Sequence, residues 1–254
     1  MQTKRTSVSN RQLTPPYFTI REIPVYGAPS MEAFTDFLLP SQDVHTGRLI
    51  ALNAEKVLTA EHNALLHQIL TSGGINYPDG ISIVRSIRKK YPNSKVTRIA
   101  GADLWQSLMQ RAGALAIPVY LVGSQPSVLT QTAERLQQQW QVPLVGQQDG
   151  YFDETQTGQV IERIKASRAK IITVAMGSPR QELFIQRCYE AYPDALYMGV
   201  GGTYDVFIGK VKRAPLLWQR LGLEWLYRLI RQPLRLKRQL KLLKYQGYHW
   251  RGEL

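Results

Sequence analysis

The segment KIITVAMGSPRQE, residues 170–182, contains a short apolar, β-branched run that passes through glycine and proline directly into a helix-like stretch. The run IPVYLVGSQP, residues 117–126, shows the same order of features earlier in the chain. A strand that turns at once into a helix is the repeating half of a βαβ unit, in which crossover helices join parallel strands. These segments therefore predict an α/β fold.

Outward from these two segments, short apolar runs alternate with longer stretches of helical periodicity along most of the chain. The alternation predicts a parallel sheet covered by helices. Strands are predicted at 48–53, 95–100, 117–123, 142–146, 170–177 and 195–202, and helices near 55–72, 81–91, 102–115, 126–140, 155–168 and 179–192.

The positive charge is concentrated at the C-terminal end of the 254-residue chain. The formal net charge is +13, and residues 210–254 hold twelve Lys/Arg against two Glu, so the tail carries +10 and the rest +3. A nearly neutral body with a basic tail indicates one localised anionic partner. We divide the chain into a disordered lead (1–16), an α/β core (17–209) and a basic helical appendage (210–254).

Four arginines of the appendage, Arg228, Arg231, Arg235 and Arg238, are spaced three, four and three residues apart. At helical pitch they share one face, with leucines and aromatic residues nearby. Such a helix is typical of proteins bound at an anionic membrane surface, and Pro233 is expected to break or kink it. The alternative is a solvated basic face whose leucines pack on the body.

The N-terminal residues 1–16 and the cysteine content indicate the cellular compartment. Residues 1–16 lack the apolar run of a secretory signal, and their polar composition with two prolines predicts disorder. Cys188 is the only cysteine, which excludes an intrachain disulfide. The longest uncharged stretch, 113–133, is interrupted by glycine and proline and fails as a membrane span. We expect a cytoplasmic protein that is peripheral on the inner face of the cytoplasmic membrane.

Polar residues follow several predicted strands, where ligands bind in open parallel sheets. The junctions are Asn53-Ala54-Glu55, Pro78-Asp79-Gly80, Gly123-Ser124-Gln125-Pro126 and Gly177-Ser178-Pro179-Arg180-Gln181. In the last, Ser178 is predicted to be an N-cap, Pro179 the first helical residue and Gln181 the N3 partner of a capping box. That helix start would suit a diphosphate, although the same residues also suit a plain helix start.

Asp79, in a tight turn, is a candidate general base, although aspartate in such a turn is more often only a turn residue. Asn53 is a candidate hydrogen-bonding group for a sugar or base, and Arg98 for phosphate charge; each also fits an ordinary polar residue at a strand end. No Asp-x-Asp, H-E-x-x-H, C-x-x-C or P-loop pattern occurs, so neither a metal nor another cofactor is predicted.

Together these motifs resemble glycosyltransferase family 26, the bacterial family that makes wall teichoic acid linkage units and enterobacterial common antigen. The resemblance runs from about residue 45 to the C-terminus. It is carried by NAE (53–55), PDG (78–80), Arg98 with AGADL (100–104), MGSPRQE (176–182), GGTYD (201–205), KRAP (212–215) and GLEWLYR (222–228). It implies a Rossmann-like core, inversion at the anomeric carbon, metal independence and an appendage that meets the membrane and helps complete the site.

Within the family, DGISIVRSIRKKYP (79–92) and PDALYMGVGGTYDVF (193–207) are similar to one branch. That branch transfers N-acetyl-D-mannosaminuronic acid (ManNAcA) from UDP-ManNAcA to GlcNAc-diphosphate-undecaprenol, which forms lipid II of enterobacterial common antigen. A transferase of the same family that uses UDP-ManNAc is the alternative.

The resemblance also implies roles for individual residues. Asp79 corresponds to the catalytic base, Asn53 and Gln181 to substrate-positioning polar groups, and Arg98 to a phosphate-contacting arginine. The predicted substrate-binding set is completed by Gly177 and Ser178 at the helix start and by Asp205 of the GGTYD motif. Arg228, Arg235 and Arg238 correspond to the family's appendage arginines, and helical spacing adds Arg231. The donor's uronic carboxylate needs a cation of its own, for which Arg85, Arg88 and Lys89 are all candidates.

Two other classes are disfavoured by the sequence. A nucleic-acid-binding protein would fit the sequence pI of about 9.9, but the basic tail is leucine-rich and the body lacks a recognition module, so no nucleic-acid partner is predicted. A nucleotide-sugar epimerase or dehydrogenase needs a dinucleotide fingerprint after the first strand, and IALNAEK (50–56) contains no glycine.

Overall fold

A computed structural model describes residues 14–41, 43–215, 217–218, 226–227 and 236–254. The strands are β1 Tyr17–Ile20, β2 Ile23–Tyr26, β3 Gly47–Leu52, β4 Ile75–Pro78, β5 Val119–Gly123, β6 Leu144–Gln148, β7 Ile171–Ala175 and β8 Leu196–Gly199. The helices are α1 Met31–Leu38, α2 Ala54–Ala60, α3 Ala64–Thr71, α4 Ile81–Lys90, α5 Gly101–Ala114, α6 Pro126–Trp140, α7 Glu154–Ala166, α8 Arg180–Ala191, α9 Thr203–Phe207 and α10 Leu236–Arg251.

Strands β3 to β8 form one six-stranded sheet in the order β4-β3-β8-β7-β5-β6, in which every neighbouring pair is parallel. Strands β1 and β2 pair with each other as a separate antiparallel hairpin. The residues of β5 and β7 are all buried, as expected for strands that helices cover on both faces. The predicted α/β fold with a Rossmann-like parallel sheet and flanking helices is confirmed, and a C-terminal helix is present.

Alternate residues of the central strands enter different cores. In β5, Leu121 joins the cluster formed with α1, α5, α6 and α9, while Val122 joins the cluster formed with α7 and α8. A third cluster holds residues of β3 with α2, α3 and α4, together with Tyr245 and Leu254 from the C-terminal end. The sheet therefore carries apolar layers on both faces, and its ends are left for polar groups.

The described end of the predicted appendage packs against the body. The Tyr245 hydroxyl is buried and donates to Ser86 Oγ of α4 at 3.1 Å, and Lys244 Nζ donates to Glu61 at 2.6 Å. No helix in the described ranges is long and apolar enough to cross a membrane. The predicted boundary at residue 210 stays a prediction, and most of the predicted disordered lead lies outside the described residues.

The strand predicted at 95–100 is wrong. Residues 95–100 form neither strand nor helix, because their backbone bonds go to two separate segments instead of one ladder: Thr97 N donates to Ala28 O at 3.1 Å and Ile99 N to Pro78 O at 2.9 Å. The edge strand β4 and the β1–β2 hairpin had not been predicted. The single helix predicted near 55–72 is two helices, since the Asn63 side chain caps a new start.

Two glycines within helices should respond to alanine in opposite directions. A Cβ on Gly113 of α5 would lie 1.8 Å from Trp140 O, whereas a Cβ on the exposed Gly158 of α7 would have no atom within 4 Å. We expect Gly113→Ala to lower the free energy of unfolding by roughly 1–3 kcal/mol through overpacking. Gly158→Ala should raise it by up to about 1 kcal/mol through helix propensity. Urea denaturation measures both, and a destabilisation of equal size at the two sites would contradict the close α5–α6 approach.

Candidate active site

The polar junctions predicted from the sequence lie along one edge of the sheet, because all six strands point the same way. In the order of the sheet, β4 ends next to Asp79, β3 next to Asn53, β8 next to Gly201, β7 next to Ser178 and β5 next to Ser124. Neighbouring strands are about 4.8 Å apart, so roughly 14 Å separates the end of β4 from the end of β7. The edge is long enough to contact more than one group of an extended ligand.

Asp79 is held at this edge by backbone groups. Its N–H donates to Leu52 O at 3.1 Å, which ties the turn after β4 to the end of β3. One carboxylate oxygen, Oδ1, accepts a hydrogen bond from the N–H of Gly101, the first residue of α5, at 2.8 Å. The other oxygen accepts no hydrogen bond from a described residue, and the side chain is only half-buried. Asp79 therefore presents a fixed carboxylate with an acceptor oxygen available.

Arg98 and Tyr77 surround this carboxylate. Arg98 Nε donates to the main-chain oxygen of Asp79 at 2.7 Å, which places the guanidinium beside the turn. Tyr77 is fully buried beneath it, and its hydroxyl has no hydrogen-bond partner among the described residues. Burial, with the negative charges of Asp79 and Glu182, raises the pKa of Tyr77 well above its ordinary value. Tyr77 thus stays a neutral phenol next to the candidate base.

Asn53 lies directly beside the Asp79 turn. Its Oδ1 accepts from Lys56 N at 2.9 Å and so caps α2, and a Cβ on Gly80 would be 3.1 Å from Asn53 Cβ. Its amide nitrogen makes no hydrogen bond within the described part of the chain, which leaves two donors for a ligand.

The capping box predicted at the start of α8 is wrong. The helix begins at Arg180, and its cap position, Pro179, offers no side-chain hydrogen bond. Gln181 turns inward instead: its Oε1 accepts from Gly201 N at 3.0 Å and its Nε2 donates to Glu182 Oε1 at 3.0 Å. Gly177 and Ser178 remain exposed in the turn before the helix. Gln181 is therefore buried under the site, and its predicted contact with substrate stays a prediction.

A buried ion pair underlies the same region. Lys56 Nζ and Glu182 Oε1 are 2.8 Å apart, and their side chains are 6% and 2% exposed. Burial would raise the pKa of Glu182, but the charge of the Lys56 ammonium and the hydrogen bonds from Lys56 and Gln181 outweigh burial and hold the pKa below its ordinary value. Glu182 is therefore anionic at neutral pH.

The far side of the edge contains Asp205. Its Oδ1 is 3.5 Å from Lys210 Nζ, which also donates to Gln125 Oε1 at 3.0 Å at the start of α6. Asp205 is thereby linked to the junction after β5. Tyr151, which follows β6, exposes most of its ring at this side.

The remaining predicted site residues are the four arginines of the appendage. Arg228, Arg231 and Arg235 lie outside the described residues; Arg238 falls within α10, but its side chain is outside them. Within the described part of the chain, no group of three or more His, Cys, Asp or Glu could hold a metal ion. The absence of a metal requirement stays a prediction.

Sequence reasoning did not single out Lys56, Glu182, Tyr151 or Lys210. Glu182 stands next to the predicted Gln181, and Lys56 lies in the first turn after Asn53, so both were close to the motifs. Nothing in a single sequence shows that two residues 126 positions apart form an ion pair. Tyr151 follows a polar strand end, and its exposure is visible only in three dimensions.

The start of α5 should tolerate no side chain at Gly101. An added Cβ would lie 2.9 Å from Tyr77 Oη and 3.7 Å from Asp79 Oδ1. Because Tyr77 is fully buried, we expect Gly101→Ala to lower the free energy of unfolding by roughly 1–3 kcal/mol. Adding Tyr77→Phe removes the contacting oxygen and should restore most of that loss in denaturant titrations. A double variant as unstable as Gly101→Ala alone would show that the hydroxyl is not the obstacle.

Comparison with known protein families identifies the chain. A sequence model described as the Glycosyl transferase WecG/TagA/CpsF family matches residues 19–252, which includes the whole carboxyl edge and α10. Members of this family act on a nucleotide-sugar donor and an acceptor. This chain therefore belongs to the WecG/TagA/CpsF family of glycosyltransferases and is a UDP-sugar glycosyltransferase of that type.

Proposed function

We propose that the protein transfers ManNAcA from UDP-ManNAcA to GlcNAc-diphosphate-undecaprenol with inversion, forming lipid II of enterobacterial common antigen. The observation that carries the proposal is the Asp79 carboxylate, fixed at the carboxyl edge by Gly101 N–H with Arg98 alongside. The sequence of the turn and of α4 favours the uronic-acid branch over the UDP-ManNAc branch.

Asp79 acts in this proposal as the general base. A hydroxyl oxygen of the acceptor sugar forms a bond to the anomeric carbon while the bond from that carbon to the diphosphate breaks. The hydroxyl proton passes to the oxygen of Asp79 that is not bonded to Gly101. A single displacement with one carboxylate inverts the anomeric carbon, so no second carboxylate is required.

The leaving diphosphate needs positive charge and hydrogen-bond donors. Arg98 supplies a guanidinium beside Asp79, and the exposed turn at Gly177 and Ser178 lies three strands further along the edge. Such donors stabilise charge that develops as the bond to the leaving group breaks. We assign the appendage arginines to the same charge, with no metal ion required.

A lipid-linked acceptor requires a surface that meets the membrane. Leu243 and Trp250 of α10 are exposed and seven residues apart, so both lie on one face of a basic helix. A helix of this kind binds in the interfacial region of an anionic bilayer. We place the protein on the cytoplasmic face of the membrane, where its donor and lipid acceptor meet.

The decisive test of the proposal is transfer by purified protein with the GlcNAc-diphosphate-lipid acceptor, with UDP-ManNAcA or UDP-ManNAc, in EDTA. We expect product from the uronic donor, and a loss of about 100- to 10,000-fold in kcat for Asp79→Asn, because the amide cannot take the proton. Asp194→Asn, an exposed aspartate before β8 at the opposite edge, is the matched control and should keep wild-type kcat.

Each outcome of this assay has a separate meaning. Transfer from UDP-ManNAc alone would place the protein in the other branch of the family. Failure with both donors, in the presence and in the absence of EDTA, would refute the proposed reaction. Transfer that occurs without EDTA and is lost with it would refute only metal independence. Full activity in Asp79→Asn would leave the reaction standing and remove Asp79 as its base.

We propose that Arg85, one of the three candidate cations, recognises the donor carboxylate. Arg88 donates to Val96 O at 2.8 Å, and Lys89 donates to the end of α10 through Trp250 O at 3.1 Å. Arg85 is exposed, makes no hydrogen bond to a described residue, and lies roughly 6 Å along α4 from the helix start beside Asp79.

We therefore expect Arg85→Ala to raise KM for UDP-ManNAcA by about 10-fold, the typical loss of a charged hydrogen bond, while UDP binding stays constant. Lys95→Ala removes an exposed cation outside α4 and should change neither value. Calorimetry measures the affinity for UDP, and steady-state kinetics measure KM for UDP-ManNAcA. An equal loss of affinity for UDP itself would assign Arg85 to the nucleotide instead of the carboxylate.

A further inference from the structure

The ion pair between Lys56 and Glu182 lies directly behind the carboxyl edge. Both residues stand in the first turn of their helices, α2 and α8, and both side chains are buried, with 2.8 Å between Nζ and Oε1. Charges removed from water are expensive, and well-packed apolar residues often replace such a pair without loss of stability. Stability alone therefore does not account for a salt bridge at this position.

The pair controls the orientation of a neighbouring amide. Glu182 Oε1 accepts from both Lys56 Nζ and Gln181 Nε2, the latter at 3.0 Å. With its nitrogen turned to the carboxylate, Gln181 must turn its oxygen to Gly201 N, 3.0 Å away. The reversed amide would set oxygen against carboxylate and N–H against N–H. The negative charge of Glu182 thus selects one of two possible orientations.

The resulting chain of bonds connects three strand ends. Helix α2 follows β3, α8 follows β7, and β8, whose end leads to Gly201, lies between them in the sheet. The packing is close, since a Cβ on Gly199 would be 2.5 Å from Gln181 Nε2. These bonds therefore fix the position of the glycine turn after β8 relative to Asn53, which caps the start of α2.

We propose that Lys56 and Glu182 are positioning residues of the transfer reaction, which fix the Gln181 amide and through it the Gly201 turn against the Asn53 side of the site. The inference rests on the proposed function for its kinetic consequence. Neither residue contacts the substrates. A shift of about 1 Å of the Gly201 turn relative to the Asn53 side of the site would lower the rate about 100-fold, because the reacting groups would no longer be aligned.

The first test replaces the pair by apolar residues of similar volume, as Lys56→Met/Glu182→Leu. We expect a melting temperature no lower than that of the wild type and at least about 10-fold faster hydrogen exchange of the Gly201 amide, which loses its fixed acceptor. In sugar transfer, kcat should fall by about 10- to 100-fold with KM for the donor within about threefold, because each side still binds its part of the substrates.

The matched control is Arg187→Met/Glu154→Leu, the same replacement in an ion pair that joins α8 to α7 at the surface. Because this pair is exposed and does not touch Gln181, kcat and Gly201 exchange should stay at wild-type values. A loss of kcat in the control equal to that of the buried double variant would overturn the proposal, since any change in α8 would then have the same effect.

A second variant, Glu182→Gln, separates positioning from stability. It leaves Lys56 buried without its counter-charge, so it should melt below Lys56→Met/Glu182→Leu. Its amide oxygen can still accept from Gln181 Nε2, so it should be more active than that double variant. A purely structural role predicts the opposite order, in which the less stable protein is the less active one.

Three results would overturn the inference. The first is that Lys56→Met/Glu182→Leu keeps wild-type kcat and wild-type Gly201 exchange, and the second is that this variant fails to fold. The third is that the variants rank in the same order by stability as by activity. If the wild type transfers no sugar from either donor, the proposed function fails by itself. Gly201 exchange then decides the positional role, and unchanged exchange in the double variant refutes it.

Discussion

The structure depends on one constraint: its central strands are buried on both faces and all run in one direction. Strands β5 and β7 have no exposed residue, so polar side chains have almost no place along them. Thr173 is the exception in β7, and its hydroxyl is paired with the buried Tyr204 hydroxyl at 2.6 Å. Polar chemistry must therefore stand at the strand ends, and parallel strands bring those ends together on one edge.

The same constraint explains why charge is buried where it is. Just inside the edge, the apolar layers meet the first turns of helices whose backbone N–H groups require partners. Asp79 satisfies the first N–H of α5, and Asn53 satisfies one in α2, so the candidate catalytic groups are also helix caps. Lys56 and Glu182 extend this polar layer into the interior. Helix capping and the proposed chemistry thus use the same side chains at this edge.

Much of the fold could be predicted because its signals are local. Helix α6 was placed at its observed bounds, since Pro126 opens it and the apolar spacing continues to Trp140. The predictions failed where distant contacts decide the outcome. Thr97 and Ile99 look like strand residues but bond to two different segments, and Gln181 is drawn inward by the Gly201 N–H instead of capping its own helix. The residues at the strand ends could be read from the sequence. Which of them contact each other could not, because the contacts depend on the order of the strands in the sheet.

The C-terminal helix α10 packs on α4, the helix that begins at the carboxyl edge, although a division of the chain at residue 210 would treat α10 as a separate appendage. Tyr245 donates to Ser86 of α4, and the ring of His249 lies 3.1 Å from the same hydroxyl. Helix α4 begins directly after Asp79 and Gly80, so a single helix separates the described part of the basic appendage from the candidate base. If the acceptor's lipid binds at α10, as proposed above, α4 is the only described helix between that lipid and Asp79, so the proposed lipid contact and the candidate base share one structural neighbour.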